Sequence, residues 1–337
     1  MALVVTDQIR AADRERNLIS RANIQAVEER ATMDAALPVK NVLVLNLMPK
    51  KEPAMTDLSL ALGGAQDYCI QPTFLNVEVT KHQDADGRNF CEINFPLGEY
   101  AALLESRDFT GVIFNGASLG DVPFENTAGL DDLKTAMDLG RARTGGVFNI
   151  CWSAMAGLYL DHSVQKQMAP QKIIGVFDQV ASVPHGLTDA WGKAAIPCGR
   201  FGYIPDENIK SVPALDILAV TPQMLEYDLG TSASLIEDKA ARTVYMINHP
   251  EYGPSAVRKE YERDRDLGAQ GGFETPYPVG NFDIPKGQDA PWKNAAHRLF
   301  NAWIKAISVD EKVEAIANDN RAPAQDAALD FPVQMRL

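Results

Sequence analysis

The sequence predicts an α/β fold with a doubly wound, mostly parallel β-sheet in one domain that carries loop insertions. Continuous apolar runs rich in Val, Ile and Leu, such as NVLVLNLM from Asn41, are typical of strands buried on both faces. Helical patterns separate several of these runs, and strands that alternate with helices form βαβ units. The chain of 337 residues is long enough to bury a sizeable core, and no internal repeat or strong linker divides it.

The individual elements follow from the spacing of apolar residues. Strands are predicted over 41–48, 71–80, 111–116, 146–150, 216–220, 234–238 and 243–249. Helices are predicted over 57–64, 129–144, 151–164 and 295–307. The segment 170–203 is rich in Gly and Pro, which indicates a β-containing insertion or binding loop, and 269–292 reads as irregular.

The two ends of the chain differ in composition from its middle. Residues 1–38 are polar, with helical stretches and no strand pattern, so we expect an N-terminal extension on or beside the core. Residues 39–308 form the predicted α/β domain, and 309–337 read as a mobile tail. Because no apolar run suits a membrane helix or a signal peptide, we expect a cytoplasmic protein that does not engage a membrane.

Charge and cysteine content exclude two classes of function. A formal net charge of −13 disfavours nucleic-acid binding, which depends on Lys and Arg against phosphates. The four cysteines (Cys69, Cys91, Cys151 and Cys198) show no CxxC spacing, and the five histidines provide no obvious zinc set. We therefore expect no bound metal, and free thiols in a reducing cytosol.

Candidate site residues are those that directly follow the predicted strands, because open α/β sheets bind ligands at the carboxyl ends of their strands. They are Lys50 and Lys51 after the first strand, Ala117, Ser118 and Gly120 after the third, Cys151 after the fourth, and His249 and Glu251 at the last.

Cys151 stands at a predicted turn from strand to helix. There the positive end of the helix dipole favours the reactive thiolate. The N–H of Trp152, with one from the loop that contains Ala117 and Ser118, is predicted to form an oxyanion hole. Taken alone, a cysteine in this setting is more often a small buried apolar residue.

His249 and Glu251 change that balance. A cysteine nucleophile needs a base that accepts its proton, and the base needs a third group that fixes its tautomer. Cys151, His249 and Glu251 supply these three residue types at strand ends, so they are predicted to form a catalytic triad. The competing interpretation of His249, as a capping or core histidine, loses weight beside this pairing.

The basic residues have two interpretations each. Lys50 and Lys51 are either solvated turn residues or ligands for an anionic acyl group or a thioester carbonyl. Arg263 lies on a predicted charged helix, where it either forms ion pairs or binds a substrate carboxylate in a bidentate manner. Spacing does not choose between these alternatives.

A set of motifs resembles one known family. The motifs are LNLMPKK (45–51), FNGASLG (114–120), ICWSAMAG (150–157), KIIGVFD (172–178), INHPEY (247–252), EYERD (260–264) and PW…LFNAW (291–303). In this order they resemble the homoserine O-succinyltransferase and O-acetyltransferase family over about residues 40–305. The resemblance implies a flavodoxin-like scaffold of the class I glutamine amidotransferase type, and methionine biosynthesis as the pathway.

The resemblance also implies a role for each matched residue. Cys151 is the acyl-accepting nucleophile, His249 the general base and acid, and Glu251 the residue that orients it. Lys50 and Lys172 lie near the acyl donor, and Arg263 binds the amino-acid carboxylate. The reaction is ping-pong acyl transfer from coenzyme A to a hydroxy amino acid, with no bound cofactor and with a homodimer as the expected assembly.

One matched position selects the acyl group, and others depart from the family pattern. In the family, glutamate at the end of the GA-x-x-x loop goes with acetyl and glycine with succinyl; here it is Gly120, so succinyl-CoA is the expected donor. Where the family reads HSRY, this chain keeps Arg200, a predicted substrate ligand, but has Gly199 for the serine. Where it reads GV[FY]EH, this chain ends in Asp178 and Gln179.

O-succinyl transfer to L-homoserine is the leading hypothesis, with three alternatives. The first keeps the chemistry but uses another acceptor, such as serine or a related hydroxy or amino compound, or acetyl-CoA as donor. The second is a glutamine amidotransferase-like hydrolase, although Asn149 and Ser153 replace the glycines usual around its cysteine. The third is a non-enzymatic binding protein with a redox-sensitive thiol.

Overall fold

A computed structural model describes residues 2–14, 25–28, 37–64, 67–189, 191, 194–222, 232–269, 277–278 and 289–319. Its helices are α1 (Asp7–Asp13), α2 (Lys51–Leu62), α3 (Leu97–Ser106), α4 (Leu130–Arg143), α5 (Trp152–His162), α6 (Gly186–Asp189), α7 (Asp206–Lys210), α8 (Ala256–Ala269) and α9 (Lys293–Asp319). A short 3₁₀ helix covers Phe124–Asn126.

The strands belong to one large and one small sheet. The strands are β1 (Ala2–Val5), β2 (Gln25–Glu28), β3 (Val39–Asn46), β4 (Cys69–Asn76), β5 (Glu78–Gln83), β6 (Asn89–Asn94), β7 (Gly111–Phe114), β8 (Thr127–Ala128), β9 (Val147–Ile150), β10 (Gln167–Ala181), β11 (Ala194–Tyr203), β12 (Asp216–Thr221), β13 (Ser232–Asp238), β14 (Thr243–Met246) and β15 (Tyr277–Pro278). The large sheet has the order β11-β10-β12-β13-β14-β9-β7-β3-β4-β1-β2, with β15 paired to β10, and the small sheet has the order β5-β6-β8.

The large sheet is parallel from β14 to β2 and antiparallel from β11 to β14. The parallel half contains β3, β7 and β9, which were predicted as strands buried on both faces. This arrangement confirms the prediction of a doubly wound, mostly parallel sheet.

Alternate residues of each central strand pack into two different cores. Val42 and Val44 of β3 belong to the cluster that α1, α2 and α9 cover. Leu43 and Leu45 belong to the cluster that α3, α4 and α5 cover. Successive side chains of a strand point to opposite faces, so helices on both sides are needed to bury an all-apolar strand.

The predicted insertion at 170–203 is confirmed as a hairpin. β10 and β11 pair antiparallel from Gln167↔Tyr203 to Gln179↔Ala194, with a register shift after Met168. β10 then joins the large sheet through Val180 and Ala181, which pair with β12. The hairpin therefore extends the sheet beyond its carboxyl edge, beside the strand ends that carry the candidate site.

Several elements were missed or wrongly bounded. Residues 1–38 were expected to lack strands, but Ala2–Val5 forms β1, which pairs with β4 and β2. The run ALVV is too short for a periodicity to stand out, and tertiary burial decides its structure. The strand predicted over 71–80 is wrong past Asn76, because β5 starts a separate hairpin with β6.

The domain boundaries stay predictions. The boundary proposed at residue 308 lies inside α9, which ends at Asp319, and residues 320–337 lie outside the described residues. Most of the irregular segment 269–292 also lies outside them. Among the helices that the structure describes, none is long and apolar enough to cross a membrane.

Helix α9 packs on Phe148 of β9, the strand that directly precedes Cys151. Phe148 is fully buried, and its ring centroid lies 5.2 Å from that of Phe300 and 5.3 Å from that of Trp303. We expect Phe148→Ala to lower the free energy of unfolding by about 3–5 kcal/mol, because it leaves a cavity in this cluster. Denaturant unfolding followed by circular dichroism measures the change.

Phe90→Ala is the matched control, since Phe90 is 40% exposed and stacks only on His82 among the rings that the structure describes. This control is expected to cost about 1 kcal/mol or less. Equal losses in both variants would contradict the role of the α9 cluster.

Candidate active site

The three predicted triad residues meet at the carboxyl ends of β9 and β14. These strands are parallel neighbours, and Met246 of β14 pairs with Ile150 of β9. The Cys151 N–H donates to the Met246 carbonyl at 2.7 Å, and the His249 N–H donates to the Pro197 carbonyl of β11 at 2.8 Å. Two sheet hydrogen bonds therefore place the thiol and the imidazole at the same edge.

Cys151 occupies a sharp turn between β9 and α5. Its backbone has φ 54° and ψ −114°, a conformation that L-residues rarely adopt, and it directly precedes the first residue of α5. Such backbone conformations cost on the order of 1–3 kcal/mol and concentrate at functional sites. The turn presents the side chain at the N-terminus of a helix, where the dipole favours an anion.

His249 is held by Glu251 and by a ring contact. The Nδ1 atom lies 2.7 Å from Glu251 Oε1, and both side chains are buried. The Tyr252 ring stacks on the imidazole with centroids 4.0 Å apart. Because Nδ1 is engaged by the carboxylate, Nε2 is left for proton transfer.

Gly116 lies directly beside Cys151 and His249. A Cβ atom on Gly116 would lie 3.3 Å from Cys151 Cβ and 3.3 Å from His249 Cε1. The absence of a side chain at 116 therefore leaves the room in which thiol and imidazole approach each other.

The charges of the triad act strongly on the imidazole. Burial lowers the pKa of His249, but the Cys151 thiolate, the Glu251 carboxylate and hydrogen bonds to both raise it well above its usual value of 6.5. The favourable interactions exceed the desolvation, so the protonated imidazole is stabilised beside the thiolate. A stabilised imidazolium beside a cysteine is the arrangement that an activated cysteine nucleophile requires.

The loop after β7 runs beside the thiol. Ser153 Oγ donates to the Asn115 carbonyl at 2.6 Å, and Gly116 N–H donates to Asn115 Oδ1 at 2.9 Å, which ties the loop to α5. Ala117 is buried and Ser118 is exposed. Trp152, the first residue of α5, is buried, and the oxyanion roles of these three residues stay predictions.

Lys50 and Lys51 lie at the start of α2, and Lys51 lines a cleft of about 490 Å³. Pro49, Lys51 and Lys81 line the cleft together with Ser118 and Leu119 from the loop beside the thiol. Lys51 Nζ donates to the carbonyls of Asn46 at 2.9 Å and Val77 at 2.6 Å, and burial lowers its pKa although Glu78 raises it. Lys50 is exposed at the helix start.

Lys172 and Arg263 belong to a charged cluster with Glu260 and Asp264. The buried Lys172 ammonium lies 2.5 Å from Glu260 Oε1 and 2.8 Å from Asp264 Oδ2, and Arg263 Nε lies 2.5 Å from Asp264 Oδ1. Burial lowers the pKa of Lys172, but the two carboxylates raise it above its ordinary value overall. The Arg263 side chain is 43% exposed, so its outer face is open to a ligand.

Tyr252 connects this charged cluster to the triad. Its hydroxyl donates to Glu260 Oε2 at 3.0 Å while its ring stacks on His249. The sequence contained Glu260 and Asp264 in the matched motif 260–264 and Tyr252 in 247–252, but reasoning from residue types assigned them no role. Their positions depend on how α8 packs on β10 and β11, which no local pattern reports.

Arg200 lies in a buried polar network behind His249. Its Nη1 donates to the Gly202 carbonyl at 3.0 Å and its Nε to Asn248 Oδ1 at 3.3 Å. Asn248 in turn donates to Gln179 Oε1 and to Thr221 Oγ1, each at 3.2 Å. One of the departures from the family pattern, Gln179, therefore serves to position Asn248, the neighbour of His249.

Gly199 and Gly120 each lie close to atoms of another element. A Cβ on Gly199 would lie 2.7 Å from Glu260 Oε2, so the carboxylate occupies the space where the family pattern has a serine side chain. A Cβ on Gly120 would lie 3.4 Å from the Phe201 nitrogen. Within the described ranges, no group of three or more His, Cys, Asp or Glu side chains is placed to hold a metal ion.

Comparison with known proteins adds a family and a fold. A family model described as homoserine O-succinyltransferase matches residues 5–312. A homoserine O-succinyltransferase of Vibrio vulnificus is 30% identical, over 90% of this chain and 92% of its own length. A homoserine O-acetyltransferase of Clostridium tetani is 28% identical, over 82% of this chain and 87% of its own.

A solved structure shows the fold. A glutamine amidotransferase of Methylobacillus flagellatus superposes with a TM-score of 0.51 at 14% identity, over 80% of this chain and 95% of its own. The expected scaffold of the class I glutamine amidotransferase type is thereby confirmed.

The raised pKa of His249 is directly testable. In Cys151→Ala the thiolate charge and its hydrogen bond are removed, so we expect the pKa of His249 to be lower than in the wild type. An NMR titration of the imidazole measures it in both proteins. Cys69→Ala, which removes a buried thiol packed against Val4, is the control and leaves the pKa unchanged; an unchanged value in Cys151→Ala would contradict the thiolate–imidazolium pair.

Proposed function

The chain belongs to the homoserine O-succinyltransferase family, and from this membership we propose that it moves a succinyl group from succinyl-CoA to the hydroxyl of L-homoserine through a thioester on Cys151. The observation that carries the proposal is the contact of Cys151 with a buried His249–Glu251 pair at a strained strand-to-helix turn. The reaction would supply an O-acyl-homoserine for methionine biosynthesis.

In the first half-reaction the Cys151 thiolate attacks the thioester carbonyl carbon of succinyl-CoA. The carbonyl oxygen becomes an oxyanion, for which the N–H groups of Trp152 and of the loop with Ala117 and Ser118 are the proposed donors. The bond to the coenzyme A sulfur then breaks. The His249 imidazolium gives its proton to the departing sulfur, so free coenzyme A leaves and neutral His249 remains.

In the second half-reaction His249 Nε2 accepts the proton of the homoserine hydroxyl. The hydroxyl oxygen attacks the carbonyl carbon of the Cys151 thioester, and the bond to the cysteine sulfur breaks. O-succinyl-homoserine leaves, and the thiolate and the imidazolium of the resting enzyme are restored. Glu251 stays ionised and hydrogen-bonded to Nδ1 throughout, which keeps the ring in one orientation.

The cleft that reaches Ser118 and Leu119 is proposed to hold the donor. It runs from Lys51 and Lys81 to Ser118 and Leu119, and its volume of about 490 Å³ is in the range of small-molecule sites. Lys50 and Lys51, at the N-terminus of α2, supply positive charge for the acyl-CoA. An acyl-CoA co-substrate of this kind requires no bound cofactor.

The charged cluster on α8 suits the acceptor. An amino acid carries a carboxylate, and the cluster presents the half-exposed Arg263 for it, whereas Glu260 and Asp264 are paired with Lys172. Lys172 was expected near the donor, and in the structure its ammonium neutralises the same two carboxylates. Through Tyr252 the cluster adjoins His249, the base that the acceptor hydroxyl needs.

A shorter acceptor such as serine is the alternative within the same chemistry. The space of the family serine at Gly199 is filled by Glu260, so the acceptor side of the pocket differs from the family pattern. Acetyl-CoA remains the alternative donor, and the cytoplasmic location and the homodimer stay parts of the proposal.

The proposal is tested by trapping the intermediate. Rapid quenching of the protein with succinyl-CoA is expected to give a succinyl adduct on Cys151, seen by mass spectrometry, because the thioester precedes acceptor binding. Coenzyme A release should be faster with homoserine than with serine, and Cys151→Ala should lose about 10³-fold or more of the activity.

Four outcomes would redirect the assignment. No coenzyme A release with any acceptor would remove the transferase, faster release with serine would change the acceptor, and glutaminase activity would favour the amidotransferase. An active Cys151→Ala variant would favour a non-enzymatic role for the thiol.

The donor is tested at Gly120. In Gly120→Glu the new carboxylate would repel the succinyl carboxylate. In Gly120→Gln the side chain has nearly the same size as glutamate but no charge, so it only crowds the pocket. We expect kcat/KM for succinyl-CoA relative to acetyl-CoA to fall about 10-fold further in Gly120→Glu than in Gly120→Gln, since one charge repulsion of about 1.4 kcal/mol gives that factor. Equal preferences in the two variants would show that size alone decides.

A further inference from the structure

Lys166 holds the loop beside the thiol although the reaction steps do not use it. It lies in the connection between α5 and β10. Its ammonium donates to three backbone carbonyls of the segment 119–122: Val122 at 2.7 Å, Gly120 at 3.0 Å and Leu119 at 3.4 Å. Three carbonyls of one short segment around one ammonium form a specific clamp.

The environment of Lys166 keeps this side chain in place. A Cβ on Gly202 of β11 would lie 3.2 Å from Lys166 Cδ and 3.2 Å from Met155 Sδ, so the aliphatic stem packs between α5 and β11. The ammonium also lies 4.7 Å from the centre of the Phe124 ring. The clamp therefore joins the 119–122 segment to α5 and β11.

Burial destabilises the charged form of Lys166. Burial lowers the pKa of Lys166 to about 8, although the charges of Asp121, Cys91, Cys151 and Glu125 raise it. A surface lysine would satisfy its charge in water, whereas this one has exchanged much of its water for carbonyl oxygens. A buried ammonium that binds backbone carbonyls is expected where the positions of those carbonyls are important for function.

The clamp also sets the direction of backbone N–H groups. The C=O and N–H of one trans peptide point in opposite directions. When the carbonyls of Leu119 and Gly120 face Lys166, the N–H groups of Gly120 and Asp121 face away from it. The same contacts therefore orient the peptide planes on both sides of Gly120.

The segment is anchored on its other side as well. Asp121 forms an ion pair with Lys81 at 2.5 Å and accepts a hydrogen bond from Asn89 at 3.1 Å. Ser118 and Leu119 line the proposed donor cleft, and a Cβ on Gly120 would lie 3.4 Å from the Phe201 nitrogen of β11. A shift of the segment by a few tenths of an ångström would alter this gap.

We propose that Lys166 is a positioning residue for acyl-donor selection: its ammonium clamps the carbonyls of the 119–122 segment and so sets the space between Gly120 and β11 that receives the succinyl group. This inference rests on the proposed succinyl transfer. Lys166 acts on the donor through the segment and does not touch the reacting atoms.

The test is Lys166→Met, which keeps an apolar stem against Met155 and removes the ammonium. In ping-pong kinetics, kcat/KM for each substrate reports its own half-reaction. We expect kcat/KM for succinyl-CoA to fall about 10-fold or more, as loss of charged hydrogen bonds implies, and the preference for succinyl-CoA over acetyl-CoA to fall with it. The kcat/KM for homoserine should change less than about 3-fold.

Lys210→Met is the matched control, because Lys210 is exposed on α7 and contacts Asp206 at 3.8 Å, away from the 119–122 segment. It is expected to leave all three constants unchanged. Should Lys166→Met fail to fold, Lys166→Gln, which is shorter and uncharged, gives the same comparison. An unchanged preference for succinyl-CoA over acetyl-CoA in a folded Lys166 variant would overturn the proposal. An equal loss of kcat/KM for succinyl-CoA and for homoserine would also overturn it.

The two proposals fail in distinguishable ways. No succinyl adduct on wild-type Cys151 would overturn both the transferase and the role of Lys166. An adduct on the wild type with unchanged donor preference in the Lys166 variant would overturn only the second.

Discussion

The site depends on the parallel pairing of β9 with β14, closed at its carboxyl end by the 2.7 Å hydrogen bond from the Cys151 N–H to the Met246 carbonyl. This hydrogen bond is the last one between β9 and β14, and it lies at Cys151, where the chain turns into α5. The buried sheet therefore keeps Cys151 in its strained backbone conformation. The chain continues three residues past the end of β14 to His249. Core packing by residues such as Phe148 thus supports a catalytic geometry at the rim.

The charges of the site are buried in compensated sets. His249 is paired with Glu251 and faces the cysteine, and Lys172 is shared by Glu260 and Asp264. An isolated buried charge would be costly, so each set holds both signs. Tyr252 touches both sets through its ring and its hydroxyl, which couples the orientation of the base to the cluster proposed for the acceptor.

The residues proposed for the donor and those proposed for the acceptor both contact β11 of the β10–β11 hairpin. The loop with Gly120 approaches β11 at Phe201, and Glu260 of α8 covers Gly199 two residues earlier in the same strand. Lys166 and the Asp121–Lys81 pair hold the loop proposed for the donor, and ion pairs hold the α8 residues proposed for the acceptor.

The sequence by itself determined the doubly wound sheet and the triad types, because long buried strands carry continuous Val, Ile and Leu and because Cys151, His249 and Glu251 follow such strands directly. It did not reveal β1, a four-residue strand whose burial comes from β4 and β2, or the end of β4 at Asn76. Only the tertiary structure brought Lys166 to the carbonyls of 119–122 and Glu260 to Gly199. Such contacts join distant segments through side-chain packing, whereas strands and turns are encoded in neighbouring residues.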